Sequence, residues 1–190
     1  GEGTGTYLYL GGIAGELTGS NEEIIVRNCA NYGPVTRSGG GSDEISIGGI
    51  AGSFDGISSR HIQNCFNYGT ITIGGATTAG TLNVGGIAGY CGDSTTFESC
   101  VNVGKIVSNK ESDFIGSVAG LVYPYSIEIS IEYCFWPSDL GYSAYGYGSP
   151  TIAESTSFSS TTFELTKAVS VGNYTGTSLI DALNAVDYYY

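Results

Sequence analysis

The chain has 190 residues, of which 41% are hydrophobic and only 13% charged, a balance that excludes a disordered polyampholyte and supplies one continuous core. Its 18 acidic residues against 6 Lys and Arg leave a net charge of −12, a field that repels phosphate backbones and anionic lipid and argues against nucleic-acid partners. Gly is abundant at 31 residues, but with 4 Pro and no G-X-Y period a collagen-like rod is excluded.

The opening Gly1-Glu2-Gly3-Thr4-Gly5-Thr6 lacks the basic and apolar regions of a signal peptide and reads as a cut end, so it says little about compartment. No apolar run approaches the roughly 20 residues that span a bilayer, so no membrane insertion is expected in this segment. From residue 7 onward the chain repeats itself. Leu8 and Leu10 alternate with polar residues and lead into Gly11-Gly12-Ile13-Ala14-Gly15. Ile24 and Val26 then lead into Asn28-Cys29-Ala30-Asn31-Tyr32-Gly33, and Val35 opens a short third segment before a Ser/Gly-rich loop.

The second unit has Ile45 and Ile47, Gly48-Gly49-Ile50-Ala51-Gly52, Ile62, Asn64-Cys65-Phe66-Asn67-Tyr68-Gly69 and Ile71. The third has Leu82 and Val84, Gly85-Gly86-Ile87-Ala88-Gly89, Phe97, Ser99-Cys100-Val101-Asn102-Val103-Gly104 and Ile106. A decayed fourth copy reads Gly116-Ser117-Val118-Ala119-Gly120, then Ile129, Ile131 and Tyr133-Cys134-Phe135-Trp136. Two linked motifs at a shared period of about 35 residues are the mark of a repeat architecture. Period-two alternation makes the segments strands, two or three per unit, and a unit this short buries its core only by stacking on its neighbours. The Asn-x-Gly steps are turns, and the Gly-Gly and Ala-Gly pairs inside strands imply a close approach of two walls or a bulge.

The expected fold is therefore all-β: a parallel β-solenoid (β-helix) of about four coils over residues 5–137, followed by a small C-terminal cap over 138–190 carrying one or two short helices. In that cap Thr161-Thr162-Phe163-Glu164 reads as a capping box. Leu179, Ile180, Leu183 and Val186 share a helical face that would cover the open strand edges of the last coil. Ile13, Ile50, Ile87 and Val118 are expected to stack as one interior column.

On the two motifs quoted, the units resemble GLUG-motif repeats of large bacterial surface proteins, some of them immunoglobulin-cleaving metallopeptidases; the resemblance covers roughly residues 5–137. It implies a β-solenoid, display at the cell surface or outside the cell, and a spacer or adhesin-like role with glycans or host surface proteins as partners. The zinc motif His-Glu-x-x-His of those peptidases is missing here, so their activity does not carry over.

Little in the chain suits catalysis. Cys29, Cys65, Cys100 and Cys134 hold one repeat position and Cys91 takes the place of Leu17, Phe54 and Val122, so all five read as interior thiols. No C-x-x-C pair or D-x-D-x-D-G loop occurs, and no cofactor or metal is expected. Alternation turns His61, the one histidine, outward as a solvated side chain. Asn31, Asn67 and Asn102 form a column suited to a ladder of amides. The acidic residues are scattered, with Glu22-Glu23, Asp43-Glu44, and Glu111 with Asp113 in or beside loops. The expected function is thus a non-enzymatic, monomeric surface module with no catalytic residues. The alternatives are a β-helical polysaccharide lyase or hydrolase, which needs paired carboxylates on one face, and an accessory domain of a larger surface peptidase. The candidate ligand-binding residues are the aromatics near the last coil, Tyr123, Tyr125, Trp136, Tyr142, Tyr145 and Tyr147, whose other reading is that they seal the cap against that coil.

Overall fold

The computed structural model describes residues 6–20, 22–39, 44–56, 58–74, 80–108, 114–123 and 128–158, and the backbone of 169–171 and 174–176. The first coil comprises β1 (Tyr7–Gly11), β2 (Ala14–Gly19), β3 (Ile24–Arg27), β4 (Ala30–Asn31) and β5 (Val35–Arg37). The second comprises β6 (Glu44–Gly48), β7 (Ala51–Gly56), β8 (Arg60–Gln63), β9 (Phe66–Asn67) and β10 (Ile71–Ile73). The third comprises β11 (Thr81–Gly85), β12 (Ala88–Cys91), β13 (Thr95–Glu98), β14 (Val101–Asn102) and β15 (Ile106–Ser108). The fourth keeps only β16 (Phe114–Gly116), β17 (Ala119–Val122), β18 (Ser130–Glu132) and β19 (Phe135–Pro137).

Equivalent strands pair in parallel, giving five walls: β1-β6-β11-β16, then β2-β7-β12-β17, β3-β8-β13-β18, β4-β9-β14-β19 and β5-β10-β15. The register is that of the repeat, with Leu8 beside Ile45 and Ile45 beside Leu82. The molecule is an all-β parallel solenoid. Three coils, rather than four, are complete. Parallel pairing continues past residue 137, where the sequence pattern fades. After one turn of 3-10 helix, Ser138–Leu140, three strands extend the second, third and fourth walls: β20 (Tyr145–Tyr147), β21 (Thr151–Ala153) and β22 (Thr156–Phe158). A separate antiparallel pair joins β23 (Val169–Val171) and β24 (Tyr174–Gly176). The expected capping box at 161–164 and the apolar helix face at 179–186 lie outside the described residues.

Each complete coil has five strands, not two or three, because both motifs are corners. The chain bends at Gly12-Ile13 between β1 and β2 and again at Asn28-Cys29 between β3 and β4. The second corner needs one left-handed residue just before the Cys. Asn28, Asn64, Ser99, Tyr133 and Glu154 all have φ between 48° and 56°. Asn tolerates that conformation, whereas Tyr and Glu pay roughly 1–2 kcal/mol for it. The stack imposes the bend on whatever residue occupies the corner.

The core has two lobes. Ile45, Ile47, Ile71, Ile73, Leu82 and Val84 fill the one between the first and fifth walls. Ile50, Phe54, Ile62, Ile87, Phe97 and Ile131 lead the one enclosed by the other three. Between the lobes the coil is pinched. A Cβ on Gly49 would lie 2.2 Å from Asn67 Cγ, and one on Gly86 2.1 Å from Asn102 Nδ2. The two motifs are thus opposite sides of one waist, which is why they recur together. The fourth coil loses both at once: Ser117 replaces the glycine and Trp136 follows Phe135 where Asn follows Val101.

The expected interior column holds for Ile50, Ile87 and Val118, all fully buried and linked by Ile50 N–H to Ile87 O and Ile87 N–H to Val118 O. Ile13 joins the backbone ladder through its N–H to Ile50 O but is 49% exposed. It belongs to the outermost rung, with no described residue stacked beyond it, and Cys29 is half-buried for the same reason.

Candidate binding surface

The corner at Gly12-Ile13 points into the molecule, so the outer faces of the first two walls turn toward each other and form a crease along the stack. The last glycine of each Gly-Gly-Ile-Ala-Gly copy lets them approach. A Cβ on Gly89 would sit 2.4 Å from Ile47 N and 2.8 Å from Ser46 C, and one on Gly120 2.5 Å from Val84 N. The sequence reading of two closely packed walls is met here. Contact across the crease is direct where the Phe114 ring of β16 packs on Tyr147 of β20, with centroids 4.7 Å apart.

One side of the crease carries Tyr9, Ser46, Asn83 and Phe114, which share a register position on the first wall. The other carries Glu16, Ser53, Tyr90, Leu121 and Tyr147 on the second. Ser46, Ser53 and Asn83 are fully buried at its floor. Asn83 Nδ2 donates to Glu44 Oε1 at 3.2 Å and to Ser46 Oγ at 3.1 Å, while Asn83 Oδ1 is buried with no donor among the described residues. Burial raises the pKa of Tyr9, and the Glu16 and Glu44 carboxylates add to it. Tyr90 is raised in the same way, by burial first and then by Asp55 and Glu44. Both phenols stay neutral amid carboxylates.

The six aromatics expected to bind ligand are divided by the structure. Trp136 is buried in the larger lobe, Tyr145 packs against that lobe, and Tyr142 against the smaller one. These three rings seal the end of the stack, since large aromatic area is worth most when removed from water. Tyr123 and Tyr147 are exposed at 40% and 48%. Tyr125 lies outside the described residues. Sequence reasoning missed the crease set of Tyr9, Glu16, Glu44, Asp55, Asn83 and Tyr90. It also missed a second cluster at the Asn-x-Gly corner, where Tyr32, Phe66 and Tyr68 have ring centroids 6.1–6.5 Å apart. Aligning the repeats reveals the columns and the glycines mark two walls in close approach; which way the corner turns has no sequence signal.

The remaining chemical candidates serve the stack. Asn31 Nδ2 donates to Asn67 Oδ1 at 3.0 Å and Asn67 Nδ2 to Asn102 Oδ1 at 2.9 Å, forming the expected ladder inside the waist. Beyond it Asn102 Nδ2 is buried with no acceptor among the described residues. All five cysteines are free; Cys65, Cys91, Cys100 and Cys134 are buried. The Cys100 thiol donates to Ile62 O one coil back at 3.2 Å, and burial raises its pKa, as it does that of Cys91. His61 faces outward and its Nε2 lies 3.1 Å from Glu23 Oε1, a surface pair worth little. Its neighbour Arg60 is fully buried in the opposite phase. Arg60 donates to Ser58 O, to Gly19 O at 3.2 Å and to Asp93 O at 3.0 Å, tying three coils together. Burial lowers its pKa, offset in part by Asp55 and Asp93.

Fold and crease together define a parallel β-solenoid repeat module with an acidic, tyrosine-bearing outer face. Compared with family models, with curated proteins and with solved structures, the chain finds no match in any of the three. No helix among the described residues is long and apolar enough to cross a membrane.

Proposed function

We propose that this chain is a non-enzymatic repeat module of a bacterial cell surface, a rigid spacer that also offers a binding face to glycans or host proteins. The observation that carries the reading is the use the fold makes of its polar interior. The Asn ladder, the thiol-to-carbonyl bonds and the Arg60 fork all run from coil to coil, so the side chains that elsewhere do chemistry here hold the stack in register. Exposed tyrosines with polar tips lie on the outside, where they suit recognition. The resemblance to GLUG repeats supports the same role.

The test is an array of glycans and host surface proteins probed with native and heat-denatured chain, run beside a polysaccharide cleavage assay. Selective binding by the native chain alone is the expected result. Release of reducing ends or unsaturated products faster than with denatured protein would overturn the non-enzymatic reading.

A further inference from the structure

We infer that the crease between the first two walls is a docking groove for an extended, lysine- or arginine-rich segment of a partner protein. This rests on the proposed role as a binding module and names its partner's chemistry. Six residues carry it: Tyr9, Glu16, Glu44, Asp55, Asn83 and Tyr90.

The first argument is the balance of donors and acceptors. Glu16 is exposed and Glu44 and Asp55 half-buried, and all three lie close enough to Tyr9 to act on its phenol. The cation whose field reaches Asp55 is Arg60, and its guanidinium is turned to the Gly19, Ser58 and Asp93 carbonyls. Asn83 holds Glu44 from below, and its own Oδ1 is a wholly buried acceptor with no donor among the described residues. The site gathers three carboxylates, and among the described residues no cation donates to them. Its natural complement is a set of N–H donors bearing positive charge.

The second argument is the aromatic pair. Tyr9 and Tyr90 flank the small floor residues Ser46 and Ser53, one coil to either side of them. At about 4.8 Å per coil they stand roughly 10 Å apart along the stack, a span of about three residues of extended peptide. A neutral tyrosine face attracts ammonium and guanidinium groups, more so beside carboxylates. The net charge of −12 steers such a segment inward and repels acidic ones. A neutral oligosaccharide offers hydroxyl donors but gains nothing from that field, so it is the rival outcome of the test.

The probe is a fluorescein-labelled peptide of alternating Lys and Gly, titrated with the full chain by anisotropy at two salt concentrations. The triple variant Glu16→Gln, Glu44→Gln, Asp55→Asn should weaken binding about tenfold or more. The control Glu22→Gln, Glu128→Gln, Asp139→Asn removes the same charge elsewhere and should change it less than about threefold. Tyr90→Leu should weaken binding several-fold while leaving the salt dependence intact. Circular dichroism checks that each variant is folded. Equal losses in crease and control variants would reduce the effect to general charge attraction and overturn the groove. So would salt-independent binding of a neutral hexasaccharide that the crease variant abolishes. If an array partner binds the crease variant normally, the groove fails while the binding-module reading stands.

Discussion

Asn67→Ala is the sharpest probe of how the stack is held. The Asn67 side chain is fully buried at the waist. It donates to Asn102 Oδ1 at 2.9 Å and Gly69 O at 3.1 Å, and accepts from Asn31 Nδ2 at 3.0 Å. Three hydrogen bonds at about 1 kcal/mol net each give about 3 kcal/mol, and an Asn31 amide stripped of its acceptor adds about 1–3 more. Asn102 Oδ1 is spared, because it still accepts from Gly104 N–H at 3.1 Å. The expected cost is therefore about 4–6 kcal/mol. Asn31→Ala is the internal comparison. It sits on the outermost described rung, and its side chain makes one ladder bond and one bond from Gly33 N–H at 3.1 Å. Its loss breaks two bonds and leaves the buried Asn67 Oδ1 without that donor, so it should cost about 3–5 kcal/mol. Urea denaturation followed by circular dichroism measures both. If Asn67→Ala costs less than about 1 kcal/mol, or clearly less than Asn31→Ala, the ladder is not what joins the coils.

Gly89→Ala should destabilise by about 3 kcal/mol or give no soluble protein, because the new Cβ meets backbone 2.4 Å away, whereas Gly39→Ala, with open space around it, should stay within about 0.5 kcal/mol in the same assay. Native alkylation should label Cys29 first and the four buried thiols only on unfolding; mass spectrometry of timed samples reads the order. Cys65, Cys91 and Cys100 have raised folded pKa values, so the folded state retains protons that the unfolded state releases. Their stabilising effect is present below about pH 8.5, the unfolded thiol value, and fades above it by up to about 1.4 kcal/mol per unit per thiol. The urea midpoint should therefore fall between neutral pH and pH 10, and Cys91→Val should flatten that fall. Arg60→Lys should cost about 2 kcal/mol despite keeping the charge, since a single ammonium does not reproduce a fork to three carbonyls; an unchanged melting temperature would refute that role.

Much of this architecture is legible in the sequence, and for a definite reason. A stacked solenoid repeats its environment every coil, so each buried position is recorded several times over. The columns of Ile50 with Ile87, of Cys65 with Cys100 and of Asn67 with Asn102 each follow from alignment of the chain with itself, and alternation places them inside. What alignment does not record is curvature. Whether Gly12-Ile13 bends outward or inward is set by the glycine seating against the Asn31 amide across the coil, a contact between residues far apart in sequence. That one choice divides the core into two lobes and turns Tyr9 toward Glu16 and Phe114 toward Tyr147. Of the two readings open for the last-coil aromatics, ligand binding or sealing, Trp136, Tyr142 and Tyr145 pack on the core where parallel pairing outlasts the motif. The sequence by itself determined the repeat, the parallel stacking and the inward-facing columns, because these depend on local periodicity. The crease and its acidic tyrosine face were decided by tertiary structure alone, because they depend on which way a corner turns.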